Sequence, residues 1–142
     1  MANYYGLGRT NYVRVRDRQI FETWLESLSV DVDVYEHKGN GGEILIALSG
    51  YRSDDGCLPS WYETEAGEER EDFLQDFVDD HLHPDDVLIY QTAGAEKARY
   101  ASGGASAFMV GKEPISLHIG EIYDRAAKAF GVDVATITEA TY

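Results

Sequence analysis

Apolar residues recur along this chain with two periods, and the switches between them predict its elements. From Thr10 to Arg16 the pattern alternates, with Asn11, Val13 and Val15 on one side and Tyr12, Arg14 and Arg16 on the other, which predicts a strand. Residues 1–9, rich in Tyr and Gly, read as a loop or short lead-in. Asp17 is a good N-cap, and Ile20, Phe21, Trp24, Leu25 and Leu28 follow at helical spacing, so a helix is expected over 18–28. Val30, Val32 and Val34 alternate with Asp31 and Asp33, predicting a second strand that reaches Tyr35. Gly39-Asn40-Gly41-Gly42 offers residues that tolerate positive φ, and 43–49 is a buried apolar run, so the two strands form a hairpin. Residues 50–66, with Asp55-Gly56, Pro59 and Trp61-Tyr62, read as a long loop.

The helical period returns with Phe73, Leu74, Phe77, Val78 and Leu82, which predicts a helix from Gly67 to about Leu82, ended by Pro84. Val87 to Ala93 reads as an apolar strand that turns back near Gly94. Lys97 to Val110 reads as a strand of small residues, broken or bulged at Gly103-Gly104. After a turn over 111–114, Ile115 opens an extended piece that enters a third helix, about 117–130. Its inside is expected to hold Ile119, Ile122, Tyr123, Ala126, Ala127 and Phe130; Gly131 stops it, and 132–142 is a tail or edge strand. Hairpins imply antiparallel pairing. The expected fold is a single α+β domain over 1–142: an antiparallel sheet of four to six strands with about three helices packed mainly on one face.

Charge changes the picture. The 142 residues carry 26 acids against 12 bases, a net charge of −14, yet 44% of them are apolar and 17 are aromatic, which excludes a disordered acidic tail. Phosphate neutralisation needs clustered Lys and Arg, so direct binding to nucleic acid or to an anionic membrane is not expected. Cys57 is the only cysteine, which suits a reducing compartment. No basic-apolar leader pattern and no run of ~18 apolar residues is present, so a cytoplasmic protein is expected.

The acids are not evenly spread. Residues 63–86 hold eleven carboxylates, opposed only by Arg70. On a helical wheel at about 100° per residue, Glu68, Glu69, Asp72, Asp76, Asp79 and Asp80 share roughly one third of the circumference, opposite Phe73 and Phe77. Like charges four apart cost a few tenths of a kcal/mol per pair, so stability alone does not select such a ridge. It is expected to meet a basic partner, together with Asp85, Asp86 and the aromatic anchor Trp61. Trp61 and Tyr62 read equally as caps on the core. Arg9, Arg14, Arg16 and Arg18 form the one basic cluster; the favoured reading pairs them with Glu22, Glu26 and the acidic helix of the same or a second subunit. A homodimer that hides the ridge stays open.

Candidate chemistry is sparse. His81 and His83 lie among Asp79, Asp80, Asp85 and Asp86, but ligands two apart diverge on a helix, so a polar helix terminus is favoured over a metal site. No calcium loop, G-x-S-x-G elbow or H-E-x-x-H appears, and no histidine adjoins Cys57. Catalytic residues, cofactors and metals are therefore expected to be none.

Asn11-Tyr12-Val13-Arg14-Val15 before a Trp-bearing helix, Pro59-Ser60-Trp61-Tyr62, the Asp72-Phe73-Leu74 helix, Glu96-Lys97-Ala98-Arg99-Tyr100 with Gly103 and Gly104, and Ile122-Tyr123 with Ala126-Ala127 together resemble small acidic proteins carried by phages and plasmids, largely of unknown function. The resemblance spans most of the chain and brings no catalytic residues. It implies a mobile-element context, in which unrelated small acidic proteins block restriction enzymes or CRISPR complexes, some by imitating DNA. The expected function is inhibition of a host nucleic-acid-binding defence complex through a DNA-like carboxylate face. The alternatives are an accessory protein whose acidity serves only solubility, and a weak metal-binding module at His81 and His83.

Overall fold

The computed structural model describes residues 4–96 and 100–140. Its strands are β1 (Tyr4–Thr10), β2 (Asp33–Lys38), β3 (Ile44–Ser49), β4 (Tyr62–Glu63), β5 (Glu69–Arg70), β6 (Leu88–Glu96), β7 (Tyr100–Phe108) and β8 (Ile115–His118). Its α-helices are α1 (Arg18–Glu26), α2 (Phe73–Asp80) and α3 (Ile122–Phe130). Six strands form one antiparallel sheet in the order β2-β3-β1-β6-β7-β8, and β4 pairs with β5 in a small second sheet. The fold is α+β, as the alternating periods predict.

Several elements form where the local chemistry places them. The Asp17 carboxylate accepts the Ile20 N–H at 2.9 Å and caps α1, satisfying one of the free donors of its first turn. The β2–β3 turn closes with Gly39 N–H donating to Glu43 at 2.8 Å, and Gly42 takes a φ of 83° that a side chain would strain. That turn fixes the register, so β2 runs to Lys38 instead of ending at Tyr35 with the valines.

Other expectations give way. The stretch over 1–9 is not a lead-in: from Tyr4 it forms β1, at the centre of the sheet and paired along its whole length with β6. Its glycines mimic a loop, but they serve close approach. Gly8 leaves room for the Tyr90 hydroxyl, where a Cβ would collide, and its backbone bonds the 50–56 loop through Gly56 and Gly50. Residues 11–16 are not a continuous strand and make only single bridges, Val13 with Ile46 and Val15 with Leu82. The Asn11 side chain substitutes for a strand neighbour, accepting from Ile89 N–H and donating to Val87 O.

β6 does not turn at Gly94, because its ladder with β7 runs unbroken from Leu88 opposite Phe108 to Glu96 opposite Tyr100. The start of the second strand at Lys97 lies outside the described residues. Gly103 and Gly104 sit in register with no bulge. A Cβ on Gly104 would meet the Leu117 carbonyl, so the glycine permits β8 to pack closely.

The core lies on one face of the sheet. Ile46 and Leu48 of β3 and Leu88 of β6 meet Phe21 of α1 and Phe73, Phe77 and Val78 of α2. Trp24 stacks on Phe73 at 5.4 Å, Phe21 meets Phe77 edge-on at 5.6 Å, and the His81 ring lies 4.4 Å from Trp24. Each fully buried large apolar side chain contributes roughly 1.5–3 kcal/mol, so this cluster fixes both helices on the sheet. The third helix departs from expectation. α3 has no buried residue; Ile122 is 61% and Phe130 77% exposed, while Tyr123, Ala126 and Ala127 are half-buried. Periodicity shows that a helix has an apolar face, not what covers it.

Two measurements test this core. Phe77→Ala removes a fully buried ring and should lower the unfolding free energy by about 3–5 kcal/mol in urea titration, against ~0.5 kcal/mol or less for Ile20→Ala on the exposed face of α1. His81 is buried, and burial pushes its imidazole below the ordinary value of 6.5; Arg16 adds to this and Asp80 opposes it. The unfolded chain therefore takes up the proton first. Stability is full above pH 6.5 and falls as the pH drops below it. Unfolding midpoints measured from pH 7.5 down to about 5.5 should fall in the wild type and stay flatter in His81→Gln.

Candidate acidic docking site

The acidic stretch is built differently from a single helical ridge. The chain enters it through β4, turns at Thr64 to Glu68 with Gly67 at a φ of 80°, and returns as β5. The Thr64 hydroxyl accepts the Glu68 N–H at 3.1 Å, and Thr64 N–H donates to the Glu68 carbonyl at 2.9 Å. Asp72 then adopts a left-handed conformation, with φ 63° and ψ 62°, and α2 begins only at Phe73. Asp72 makes no side-chain cap, and Phe73 N–H donates instead to Ser60 O at 3.0 Å. A helix from Gly67 to Leu82 is thus corrected to α2 alone. The common wheel of Glu68, Glu69 and Asp72 with Asp76, Asp79 and Asp80 falls with it, because the first three precede the helix. Burying Phe73 and Tyr62 in the core favours the hairpin over six more residues of helix.

Two of the eight proposed carboxylates are half-buried and bound by the chain itself. The half-buried Asp76 accepts from the Tyr62 hydroxyl at 2.5 Å and from Arg70 Nε at 3.2 Å. Burial and then the bond to Asp76 push the Tyr62 phenol up to about 12, so it stays a donor. The same carboxylate raises the Arg70 guanidinium. Asp86, also half-buried, takes the Arg14 backbone N–H at 2.7 Å, its Nε at 3.0 Å and its terminal NH2 at 2.5 Å. Burial opposes ionisation of Asp86, but the hydrogen bonds and charge of Arg14 outweigh it and hold the carboxyl below its ordinary range.

The other arginines are also engaged. Arg18 pairs with Glu22 and Glu36, Arg16 donates to the Leu82 carbonyl at 2.8 Å, and Arg9 lies over the rings of Tyr12 and Tyr35. The expected pairing is met only in part: Arg18 takes Glu22 and Arg14 takes Asp86, beyond the end of α2, while Arg16 is bound to a carbonyl and Arg9 to aromatic rings rather than to Glu26 or the acids of the helix.

The remaining six carboxylates, Glu68, Glu69, Asp72, Asp79, Asp80 and Asp85, are exposed. Arg70 reaches Glu68 at 3.2 Å, and Asp79 accepts from Gln75 at 2.9 Å. Glu63, Glu65 and Glu71 are exposed as well, so nine of the eleven acids of this stretch face solvent. Trp61 is 59% exposed while Tyr62 is buried, which divides the aromatic pair into one surface and one core residue.

Trp61 also borders a cleft of about 450 Å³ whose walls include Asp31, Asp54 and Asp55. These three exposed aspartates were missed as site residues, because they stand 6 to 30 positions ahead of Trp61, in segments that read as strand and loop. The Asp55-Gly56 turn was the available signal. Asp55 accepts from Cys57 N–H at 2.9 Å, a bond within the loop that brings Asp54 and Asp55 to the cleft. An indole beside carboxylates suits a guanidinium or ammonium group, held by charge and by its approach to the ring face.

The histidines do not form a pair. The His81 ring is packed among Phe21, Trp24 and Phe77, while His83 Nδ1 accepts the Asp85 N–H at 3.1 Å. Among the described residues no three His, Cys, Asp or Glu side chains group as a metal site, and no helix is long and apolar enough to cross a membrane. Comparison with family models, with curated proteins and with solved structures finds no match for this chain.

Proposed function

We propose that this chain is a non-catalytic acidic binding protein that acts in the cytoplasm of a bacterial host. Its electronegative lobe occupies the basic surface on which a host defence complex, a restriction enzyme or CRISPR effector, holds nucleic acid. The observation that carries this reading is the density of exposed carboxylate: nine exposed acids in 63–86, with Arg70 as the only Lys or Arg of that stretch. Such a lobe raises the encounter rate with a basic partner and repels nucleic acid itself. The resemblance to small acidic phage and plasmid proteins points the same way.

The mimicry is one of charge density rather than of register. With α2 only eight residues long and Asp76 turned to Tyr62 and Arg70, no row of acids repeats along the lobe as phosphates repeat along a strand. Trp61 and the aspartates of its cleft supply the second contact, a socket for one arginine or lysine of the partner.

The test is DNA cleavage by purified restriction and CRISPR nucleases, titrated with this protein at two salt concentrations. Inhibition should weaken as salt rises. The exposed triple variant Glu69→Lys/Asp79→Lys/Asp85→Lys should slow association about 10- to 100-fold. Undiminished inhibition by that variant would sink the charge-based reading. A protein that inhibits neither class of nuclease, while remaining folded, would return its acidity to a role in solubility.

A further inference from the structure

A second surface lies away from the acidic lobe. The ladder places Leu7 opposite Ala93, Ala105 opposite Leu117, and Ala107 opposite Ile115, all on the sheet face that points away from the core. Ala93 and Ala105 make a shallow floor, and Leu7 on one side with Leu117 and Ile119 on the other wall a trough of about 610 Å³. Beyond it, α3 presents Ile122 and Phe130 to water. A nine-residue helix is marginal in water by itself and depends on burial of its apolar stripe. Within the described chain that stripe is not buried.

Three observations bear on what covers it. The first is exposure. Ile115 is 70%, Leu117 55%, Ile119 47%, Ile122 61% and Phe130 77% exposed, five large apolar side chains from one short segment, whereas apolar residues scattered singly are the ordinary state of a surface.

The second is charge. Residues 101–142 hold Lys112, Arg125 and Lys128 against Glu113, Glu121, Asp124, Asp133 and Glu139, a net of −2. The first 100 residues therefore carry −12 of the total of −14. Two copies therefore repel less through this part of the chain, where Ile115, Leu117, Ile119, Ile122 and Phe130 are exposed, and Arg9 is the one charged residue lining the trough beside it.

The third is the edge. The sheet ends in β2 on one side and β8 on the other. β2 is guarded by Asp33, Glu36 and Lys38, whereas Ile115-Ser116-Leu117-His118 carries no Asp, Glu, Lys or Arg. An unguarded apolar edge strand invites another strand, and about a two-fold axis its natural mate is itself.

We propose that the protein is a homodimer with an isologous interface. β8 pairs antiparallel with β8 of the second copy, so the two sheets join edge to edge into one. The apolar side chains of β8 and the α3 stripes of the two copies then meet along that seam. The acidic lobes stay free, because α2 packs on the opposite face of the sheet. This inference does not depend on the defence-complex reading.

Sedimentation equilibrium of the full chain tests it. The expected mass is about 32 kDa, twice 15.9 kDa, at micromolar concentration. Ile122→Asp/Phe130→Asp alters side chains already more than half exposed in a single copy, so circular dichroism should be unchanged. Its dissociation constant should rise about a thousand-fold or more, because four unpaired charges would be buried per dimer. Leu117→Lys at the edge should act in the same direction. Asp79→Lys/Asp85→Lys should leave the dimer intact. Added salt should tighten self-association by screening repulsion between the copies, opposite to its effect on docking through the acids. A monomer of 15.9 kDa up to about 100 μM would overturn the proposal, and so would a dimer indifferent to all three apolar-face changes.

Discussion

The clamp of α1 on α2 through Trp24, Phe73, Phe77 and His81 decides how the rest of the molecule is presented. Phe73, the first residue of α2, stacks on Trp24, and Tyr62 packs edge-on against both rings. With Tyr62 and Phe73 both held in the core, the chain between them returns on itself as a hairpin. The left-handed Asp72 is the hinge of that return, a conformation that Asp tolerates better than most residues. Once α2 is seated, its apolar side is buried in the core, Asp76 turns to Tyr62 and Arg70, and Asp79 and Asp80 are left at the surface. The acidic lobe is thus a consequence of aromatic packing, not a separate module attached to it.

Charge is managed where it meets the core and left alone elsewhere. Asp76 and Asp86 are the half-buried carboxylates of the stretch, and each has an arginine: Arg70 within the hairpin and Arg14 from the crossing segment. An unpaired carboxylate at such depth would cost several kcal/mol, whereas exposed acids are solvated cheaply. Arg14 and Arg70 go to these two acids, while Arg18 pairs with the exposed Glu22 and Glu36 and Arg70 also reaches Glu68. A chain with a charge of −14 thus pairs the two half-buried acids of this stretch and leaves the other nine exposed.

How far the sequence announced this depends on the kind of signal. The Asp17 cap, the Gly39–Gly42 turn and the Phe73–Phe77 stripe are local, so they are legible by position alone. β1 is not, because Gly6 and Gly8 look like a loop until Tyr90 and the 50–56 loop are known to press against them. β4 and β5 are two residues each and are held by Tyr62, Asp76 and Arg70, partners 6 to 14 positions apart that no periodicity reveals. Of the acidic residues, their exposure was legible and their geometry was not: a wheel treats 67–80 as one helix, and a single left-handed residue breaks it. The cleft beside Trp61 was hidden for a similar reason, since it joins Asp31 to Asp54 and Asp55 across the fold.

The molecule has two faces of opposite character, and their separation has a physical consequence. Apolar self-association gains from salt and from concentration, while docking through carboxylates loses with salt. Placed on one surface, the two would compete, because dimerisation would bring like charges together and bury some of them at a cost. Placed on opposite faces of one sheet, they add. The dimer proposed through β8 and α3 would carry two acidic lobes, so that engagement of one lobe would raise the effective concentration of the other at a second basic site. The gain is largest when the basic surface is itself repeated or extended, as it is along a channel that holds nucleic acid, and it vanishes against a single isolated patch. The separation of charge from apolar surface along this chain, with −12 in its first 100 residues and −2 in the rest, is what such a division of labour requires.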